Sequence, residues 1–237
     1  MIVDDDPEFA SSVAEIFEAE GDEVIVAESG TEALEKVKQR KPDLMLMDIK
    51  MPGMDGVTAY ANMKDLYPDL RVILVTAYPE VELISTALQE GAFGCFEKPL
   101  DHERLLCVID DALADNASVL VVDDDKDFCA SMEDALEEKG YRVVTAHHED
   151  TALEEMRHRN FDLVLLDIKL GIQDGWNTYC ALRDLRPDVP VLAMTGYEEE
   201  MGHLAQRITE RENRPWMRKP LDLPAVFMLL DEMRKGK

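Results

Sequence analysis

Asp43-Leu44-Met45-Leu46-Met47-Asp48-Ile49-Lys50 is an apolar run closed by an aspartate, and it recurs as Asp162-Leu163-Val164-Leu165-Leu166-Asp167-Ile168-Lys169. A run that is apolar without alternation is what a parallel strand covered on both faces requires. The two aspartates stand 119 residues apart (167 − 48). Other pairs keep that interval: Val3-Asp4-Asp5-Asp6 with Val122-Asp123-Asp124-Asp125, Asp55-Gly56 with Asp174-Gly175, Pro68-Asp69 with Pro187-Asp188, and Thr76 with Thr195. Lys98-Pro99-Leu100-Asp101 and Lys219-Pro220-Leu221-Asp222 stand 121 apart (219 − 98), so the second copy carries a net two-residue insertion between threonine and lysine. Copies of about 115 residues are too long for solenoid units, and each can bury its own core. The repeat is a duplication of whole domains, expected at 1–115 and 118–237.

Outward from that run, short apolar segments alternate with helical patterns, the signature of βαβ units and a parallel sheet. In the first copy the strands read Met1–Val3, Glu23–Ala27, Asp43–Asp48, Arg71–Thr76 and about Ala92–Glu97. In the second they read Ser118–Val122, Arg142–Ala146, Asp162–Asp167, Val189–Thr195 and about Pro215–Arg218. Amphipathic stretches such as Thr31–Arg40 and Thr151–Arg159 lie between them, and Gly21 and Gly140 fall where helix C-caps belong. Each copy is thus expected to be a five-stranded α/β sandwich with helices on both faces. The joint, about Ala112–Ser118, is short, so one copy leads almost directly into the next.

Hydrophobic residues make up 46% of the 237, and 51 acidic residues against 25 basic ones give a net charge of −26. That balance argues against a nucleic-acid partner, which needs Lys and Arg to displace counterions. For most of the carboxylates, solubility is explanation enough. No apolar run approaches the ~18 residues of a membrane span, and no signal peptide is present. Cys95, Cys107, Cys129 and Cys180 form no CxxC pair and suit a reduced compartment as small buried apolar residues. A cytoplasmic protein is expected. Residue 1 opens directly on strand-like Met1-Ile2-Val3, which suggests trimming at the amino end.

In open parallel sheets, ligands bind beyond the carboxyl ends of the strands. Asp4 and Asp5 follow the first strand, Asp48 ends the third, Thr76 ends the fourth and Lys98 follows the fifth; Asp123, Asp124, Asp167, Thr195 and Lys219 repeat the set. Three carboxylates at one edge repel one another and imply a cation, and hard oxygen ligands with no nearby His or Cys cluster favour Mg²⁺. Mg²⁺ recruits phosphate oxygens as further ligands, which points to phosphoryl transfer. A carboxylate can itself attack phosphorus and form an aspartyl-phosphate. Asp48 is the candidate nucleophile, with Asp4, Asp5 and the Lys50 carbonyl around the metal, Thr76 bonding the phosphoryl group and Lys98 pairing with it. Asp167 is its counterpart, with Asp123, Asp124, Lys169, Thr195 and Lys219. Taken singly, a carboxylate after a strand is more often a helix N-cap, and Lys-Pro more often a turn. Five such positions recurring in register are not all caps.

These motifs resemble the receiver domains of bacterial two-component response regulators, twice and over essentially the whole length. Those that carry the likeness are Val3-Asp4-Asp5-Asp6-Pro7, Leu46-Met47-Asp48-Ile49-Lys50-Met51-Pro52-Gly53-Met54-Asp55-Gly56, Val75-Thr76-Ala77 and Glu97-Lys98-Pro99, with Val122-Asp123-Asp124, Leu166-Asp167-Ile168-Lys169-Leu170, Asp174-Gly175, Thr195-Gly196 and Arg218-Lys219-Pro220. The resemblance implies two flavodoxin-like (βα)5 folds, Mg²⁺ dependence and phosphorylation from the phosphohistidine of a sensor histidine kinase or phosphotransfer protein. It implies signalling to a protein target or attached output domain through the face of the fourth helix, fifth strand and fifth helix, with homodimerisation open to it.

The copies depart from the family pattern unequally. Receivers usually carry an aromatic switch residue three positions before the lysine; the first copy has Cys95 there, followed by Phe96, and the second has Trp216. Leu170-Gly171-Ile172-Gln173 replaces Met51-Pro52-Gly53-Met54, losing a proline, and Glu198–Arg214 carries the insertion and many charges. Both sites are expected to be chemically complete, with different output faces. Lys50 and Lys169 stand two residues past the acceptors, and Tyr78 and Tyr197 two past the threonines; in receivers these positions flank the phosphoryl group and tune its hydrolysis, so the resemblance makes them candidates for lifetime control, with plain exposed loop residues the equal alternative. A haloacid-dehalogenase-like phosphatase needs a carboxylate two residues past the nucleophile, where Lys50 and Lys169 stand, and a flavodoxin needs a phosphate loop where the acidic residues stand. His102, His147, His148, His158 and His203 show no metal spacing and are expected at exposed positions. A helix over Leu223–Arg234 precedes the basic residues Arg234-Lys235-Gly236-Lys237. The expected roles are a stand-alone double receiver, a phosphate relay or sink, or a receiver pair cut from a larger hybrid kinase or effector.

Overall fold

The computed structural model describes residues 1–77, 81–114, 117–170 and 173–235. The chain divides into two compact units, Met1–Leu113 and Ala114–Lys237. In the first, strands β1 (Ile2–Val3), β2 (Val26–Ala27), β3 (Leu44–Asp48), β4 (Arg71–Thr76) and β5 (Gly94–Glu97) alternate with helices α1 (Pro7–Glu20), α2 (Gly30–Gln39), α3 (Gly56–Leu66), α4 (Val81–Gln89) and α5 (His102–Leu113). The sheet is parallel, in the order β2-β1-β3-β4-β5. The second unit repeats the plan with β6 (Ser118–Val122), α6 (Lys126–Glu137), β7 (Arg142–Ala146), α7 (Glu149–His158), β8 (Leu163–Asp167), α8 (Gly175–Leu185), β11 (Val191–Thr195), α9 (Glu198–Glu212), β12 (Met217–Arg218) and α10 (Leu223–Lys235). Its order, β12-β11-β8-β6-β7, is the same topology. The expected flavodoxin-like pair of parallel sheets is present. An antiparallel hairpin of β9 (Lys169–Leu170) and β10 (Gln173–Asp174) follows β8 and was not expected from the sequence; Gly171 and Ile172 lie outside the described residues.

Pleat alternation sorts each strand's side chains between two helical layers. In the first unit Ile2, Leu46, Ile73, Val75 and Phe96 pack with Ala10, Val13 and Phe17 of α1 and Leu105, Val108 and Ile109 of α5. Their neighbours Met45, Met47 and Leu74 are fully buried and point to the opposite face. Phe96 therefore belongs to the α1–α5 layer, and buried Cys95 points the other way. An aromatic at 96 cannot stand in for one at 95.

The strand ends differ from expectation for backbone reasons. β11 starts at Val191, since Pro190 brings no N–H to a ladder, and β12 at Met217, since Pro215 likewise brings none and the Trp216 backbone N–H is taken by Thr209 Oγ1. β2 is confined to Val26–Ala27, since β1 offers it only Ile2 and Val3 as partners. Gly21 ends α1 at φ 99°, and Gly140 at φ 82° follows the α6 cap residue Glu138. Of the cysteines Cys95 and Cys129 are buried, whereas Cys107 is exposed and Cys180 half-buried, which corrects the expectation of four buried thiols. Among the described residues no helix is long and apolar enough to cross a membrane.

Two tyrosines in register between the copies, Tyr60 and Tyr179, hold the fourth helix of each unit differently. Tyr60 donates to the backbone carbonyl of Glu90 (3.3 Å), whereas Tyr179 donates to the side chain of Glu212 (2.8 Å). The Glu212 carboxylate is buried, accepts the Val191 N–H (3.2 Å) and lies 3.4 Å from Arg183. Burial, with the Glu212 hydrogen bond, pushes the Tyr179 hydroxyl up to about 12.

The start of α3 rests on the end of β3: Gly56 N–H donates to Ile49 O (2.8 Å), and a Cβ at 56 would stand 2.1 Å from Asp48 O. At Gly175 the corresponding approach to Asp167 O is 2.7 Å. Gly56→Ala must push β3 and α3 apart. It is expected to destabilise the first unit by about 2–3 kcal/mol, more than Gly175→Ala destabilises the second, read from thermal melts.

Candidate functional site: two carboxylate clusters at the sheet edge

The topology carries the candidate residues to one edge. Asp4 follows β1, Asp48 closes the adjacent β3, Thr76 closes β4, and Lys98 follows β5 with its N–H on Thr76 O (2.8 Å). Asp4, Asp48 and Thr76 are buried at 1%, 6% and 0% exposure, while Asp5 faces solvent. Carboxylate oxygens of Asp4, Asp5 and Asp48 lie within 4.8 Å of one another, as do those of Asp123, Asp124 and Asp167. The next carboxylate along is different: Asp6 accepts the Glu8 and Phe9 N–H groups and Asp125 those of Asp127 and Phe128. The N-cap explanation thus holds for the third aspartate of each run and not for the first two.

The lysines reach back across the sheet. Lys98 Nζ is 2.6 Å from Asp4 Oδ2 and 3.6 Å from Asp48 Oδ1. Lys219 Nζ hydrogen-bonds Asp123 Oδ2 and lies 2.6 Å from Asp167 Oδ2. The Asp167 carboxylate also accepts the Lys169 N–H (3.1 Å), and Lys219 N–H donates to Thr195 O (3.0 Å). The Lys98–Pro99 and Lys219–Pro220 bonds are both cis.

Burial pushes the Asp48 carboxyl up to about 6; Lys98 opposes this, and the Asp4 and Asp5 charges add to it. Burial likewise raises Asp123 against the pull of its Lys219 hydrogen bond. Burial works to lower Lys219, yet its hydrogen bonds to Asp123 and Asp167 prevail and hold the ammonium above its usual range. Two buried carboxylates beside an exposed third, all oxygen donors, fit a hard divalent cation, which would relieve both their burial and their repulsion.

Around the second cluster, Lys169 Nζ sits 3.6 Å over the Tyr197 ring, and Tyr197 is 52% exposed. Lys50 is exposed, and Tyr78 lies outside the described residues. His102, His148 and His203 are exposed as expected, but His147 and His158 are half-buried: His147 Nδ1 is 3.0 Å from Asp123 O, behind the cluster. Trp216 is half-buried with its N–H on Thr209 Oγ1 (3.1 Å). Sequence reasoning missed Phe9 and Phe128, whose rings lie against Lys98 and Lys219 at 4.1 and 4.4 Å. The 119-residue interval (128 − 9) was the available signal. A cavity of about 180 Å³ among Ile2, Phe17, Leu44, Ile109 and Leu113 lies at the opposite, amino ends of the strands, away from these groups.

The raised Asp48 fixes a sign for stability. Between pH ~4 and ~6 the folded unit keeps a proton that the unfolded chain releases, so stability falls as pH rises through that window. In a chelator at pH 7, Asp48→Asn is expected to raise the melting temperature of the first unit by several degrees, worth about 1–2 kcal/mol, with the gain fading toward pH 4.

The response regulator receiver domain model matches residues 1–110 and 119–229. A response regulator receiver protein of Anaeromyxobacter sp. (strain Fw109-5) is 32% identical over 238 residues, covering 100% of this chain and 95% of that protein. Sporulation initiation phosphotransferase F of Bacillus subtilis (strain 168) is 38% identical over 105 residues, covering 44% of this chain and 85% of its own. The solved receiver domain of NtrX from Brucella abortus is 32% identical with a TM-score of 0.45, covering 47% of this chain and 95% of that one. The chain belongs to the response regulator receiver domain family and carries that domain twice, as a tandem receiver protein of two-component signalling.

Proposed function

We propose that Asp48 and Asp167 each accept a phosphoryl group from the phosphohistidine of a sensor histidine kinase or phosphotransfer protein. The observation that carries this reading is the in-register recurrence of three clustered carboxylates with a lysine drawn onto two of them. An aspartate oxygen forms the new O–P bond as the P–N bond of the donor breaks, and the departing imidazole takes up a proton from solvent. Lys98 or Lys219 releases a carboxylate and pairs with a phosphoryl oxygen, and the Thr76 or Thr195 hydroxyl donates to another. Mg²⁺, held by Asp4, Asp5, Asp48 and the Lys50 carbonyl, or by Asp123, Asp124, Asp167 and the Lys169 carbonyl, would supply neutralising charge for the phosphoryl oxygens.

The protein is then a regulatory phosphoacceptor that promotes only its own phosphorylation and dephosphorylation. It works in a cytoplasmic, reducing setting, as a stand-alone pair, a relay or sink, or part of a longer regulator, with protein and not nucleic-acid or membrane partners; homodimerisation remains open to it. Output faces built from α4-β5-α5 and α9-β12-α10 carry Cys95 and Trp216 in place of a common switch residue, so the two phosphates send different signals.

With a small phosphodonor and Mg²⁺, intact mass is expected to show two added phosphates on the wild type, one on Asp48→Asn or Asp167→Asn, and none on the double variant. Chelation should abolish all of them. Two phosphates on either single variant would sink the acceptor assignments. Lys169, two residues past the acceptor, lies against the ring of Tyr197, two residues past Thr195; if that pair limits water at the acceptor, Tyr197→Ala is expected to shorten the Asp167 phosphate lifetime about three- to tenfold, measured by loss of label.

A further inference from the structure

We propose that Phe9 and Phe128 are positioning residues, whose ring faces hold the Lys98 and Lys219 ammonium groups in place while these exchange a carboxylate for a phosphoryl oxygen. The inference rests on the acceptor reading above. Each ring faces its lysine, with Nζ at 4.1 Å from the Phe9 centroid and 4.4 Å from that of Phe128, inside the range of a cation–π attraction. Each is fixed from below. The Phe9 N–H is bonded to the Asp6 cap (3.2 Å) and the Phe128 N–H to the Asp125 cap (3.1 Å), and both half-buried rings pack on their unit's core. The lysine side chains are only 18% exposed in both units.

An ammonium has three donors and no acceptor. At Lys219 two carboxylates take hydrogen bonds, so the ring covers a remaining side of the cation without competing for those partners. A carboxylate holds a donor in a directed bond, whereas a ring face attracts the charge over a broad area. The ammonium can therefore turn from Asp4 toward an oxygen on Asp48 without leaving the ring. Simple core packing explains an apolar residue at these positions, since leucine would fill the space. It does not explain a ring face turned to the ammonium in both units.

The test uses the full chain with Asp167→Asn, so that Asp48 alone reports. Phe9→Leu is expected to slow phosphorylation by a small phosphodonor about five- to tenfold, while Phe9→Tyr, which keeps the ring, stays near the parent. In a Lys98→Met background Phe9→Leu should cost nothing further, because its effect passes through the lysine. A second readout does not need phosphorylation: the Lys98 Cε protons should be ring-shifted upfield in the parent and return to ordinary positions in Phe9→Leu. Unchanged Cε resonances, equal slowing by Tyr and Leu, or full slowing in the Lys98→Met background would each overturn the proposal. A parent that takes no phosphate on Asp48 would overturn the acceptor reading instead, and the Cε shift would still decide whether the ring holds the lysine.

Discussion

Mutual repulsion among gathered carboxylates is the constraint around which each unit is arranged. Two full charges about 4 Å apart cost about 4 kcal/mol at an effective dielectric of about 20, and burial adds to that. Each cluster holds three carboxylates within 4.8 Å, two of them buried. The order β2-β1-β3-β4-β5 makes β1 and β3 neighbours, which brings Asp4 and Asp48 together, and it sets β5 on the same side, so Lys98 can return across the edge to meet them. A lysine on the local loop would neutralise the cluster permanently. One delivered from a distant strand can change partners.

Beyond the shared edge, the units invest in different places. The fourth helix spans Val81–Gln89 in the first unit and Glu198–Glu212 in the second. The longer helix is tied to α8 and the start of β11 through Glu212, and Arg207 and Arg211 lie over the Trp176 ring at 3.6 and 4.9 Å. Buried Arg186, the residue after α8, adds bonds to the carbonyls of Met156 (3.0 Å) and Arg159 (3.1 Å) at the end of α7. The second unit thus fastens its fourth helix by bonds between side chains, where in the first the Tyr60 and Lys64 side chains bond the backbone carbonyl of Glu90 just past α4.

Most of the fold was legible because its cause is local. Unbroken apolar runs such as Leu163–Leu166 permit few alternatives, and the in-register duplication tests each assignment twice. Positions at the strand ends were legible for the same reason, since a parallel sheet delivers them to one edge whatever the side-chain detail. What escaped has non-local causes. The β9–β10 hairpin depends on how the chain turns after Asp167, and the half-burial of His147 depends on β7 lying beside β6. Phe9 and Phe128 look like core residues in one dimension; their lysine contacts join positions some ninety residues apart (98 − 9 and 219 − 128). Which aspartate of each triple caps a helix and which joins the cluster was likewise a matter of backbone direction, not of composition.

The tyrosine grips have an evolutionary side. Tyr60 holds a backbone carbonyl that every amino acid supplies, so position 90 is free to drift without loosening the helix end. Tyr179 holds the carboxylate that only Glu212 supplies, and Val191 and Arg183 depend on the same group. At the helix end of the first unit the side chain at position 90 can therefore change alone, whereas at this corner of the second unit Tyr179, Arg183 and Glu212 can change only in concert.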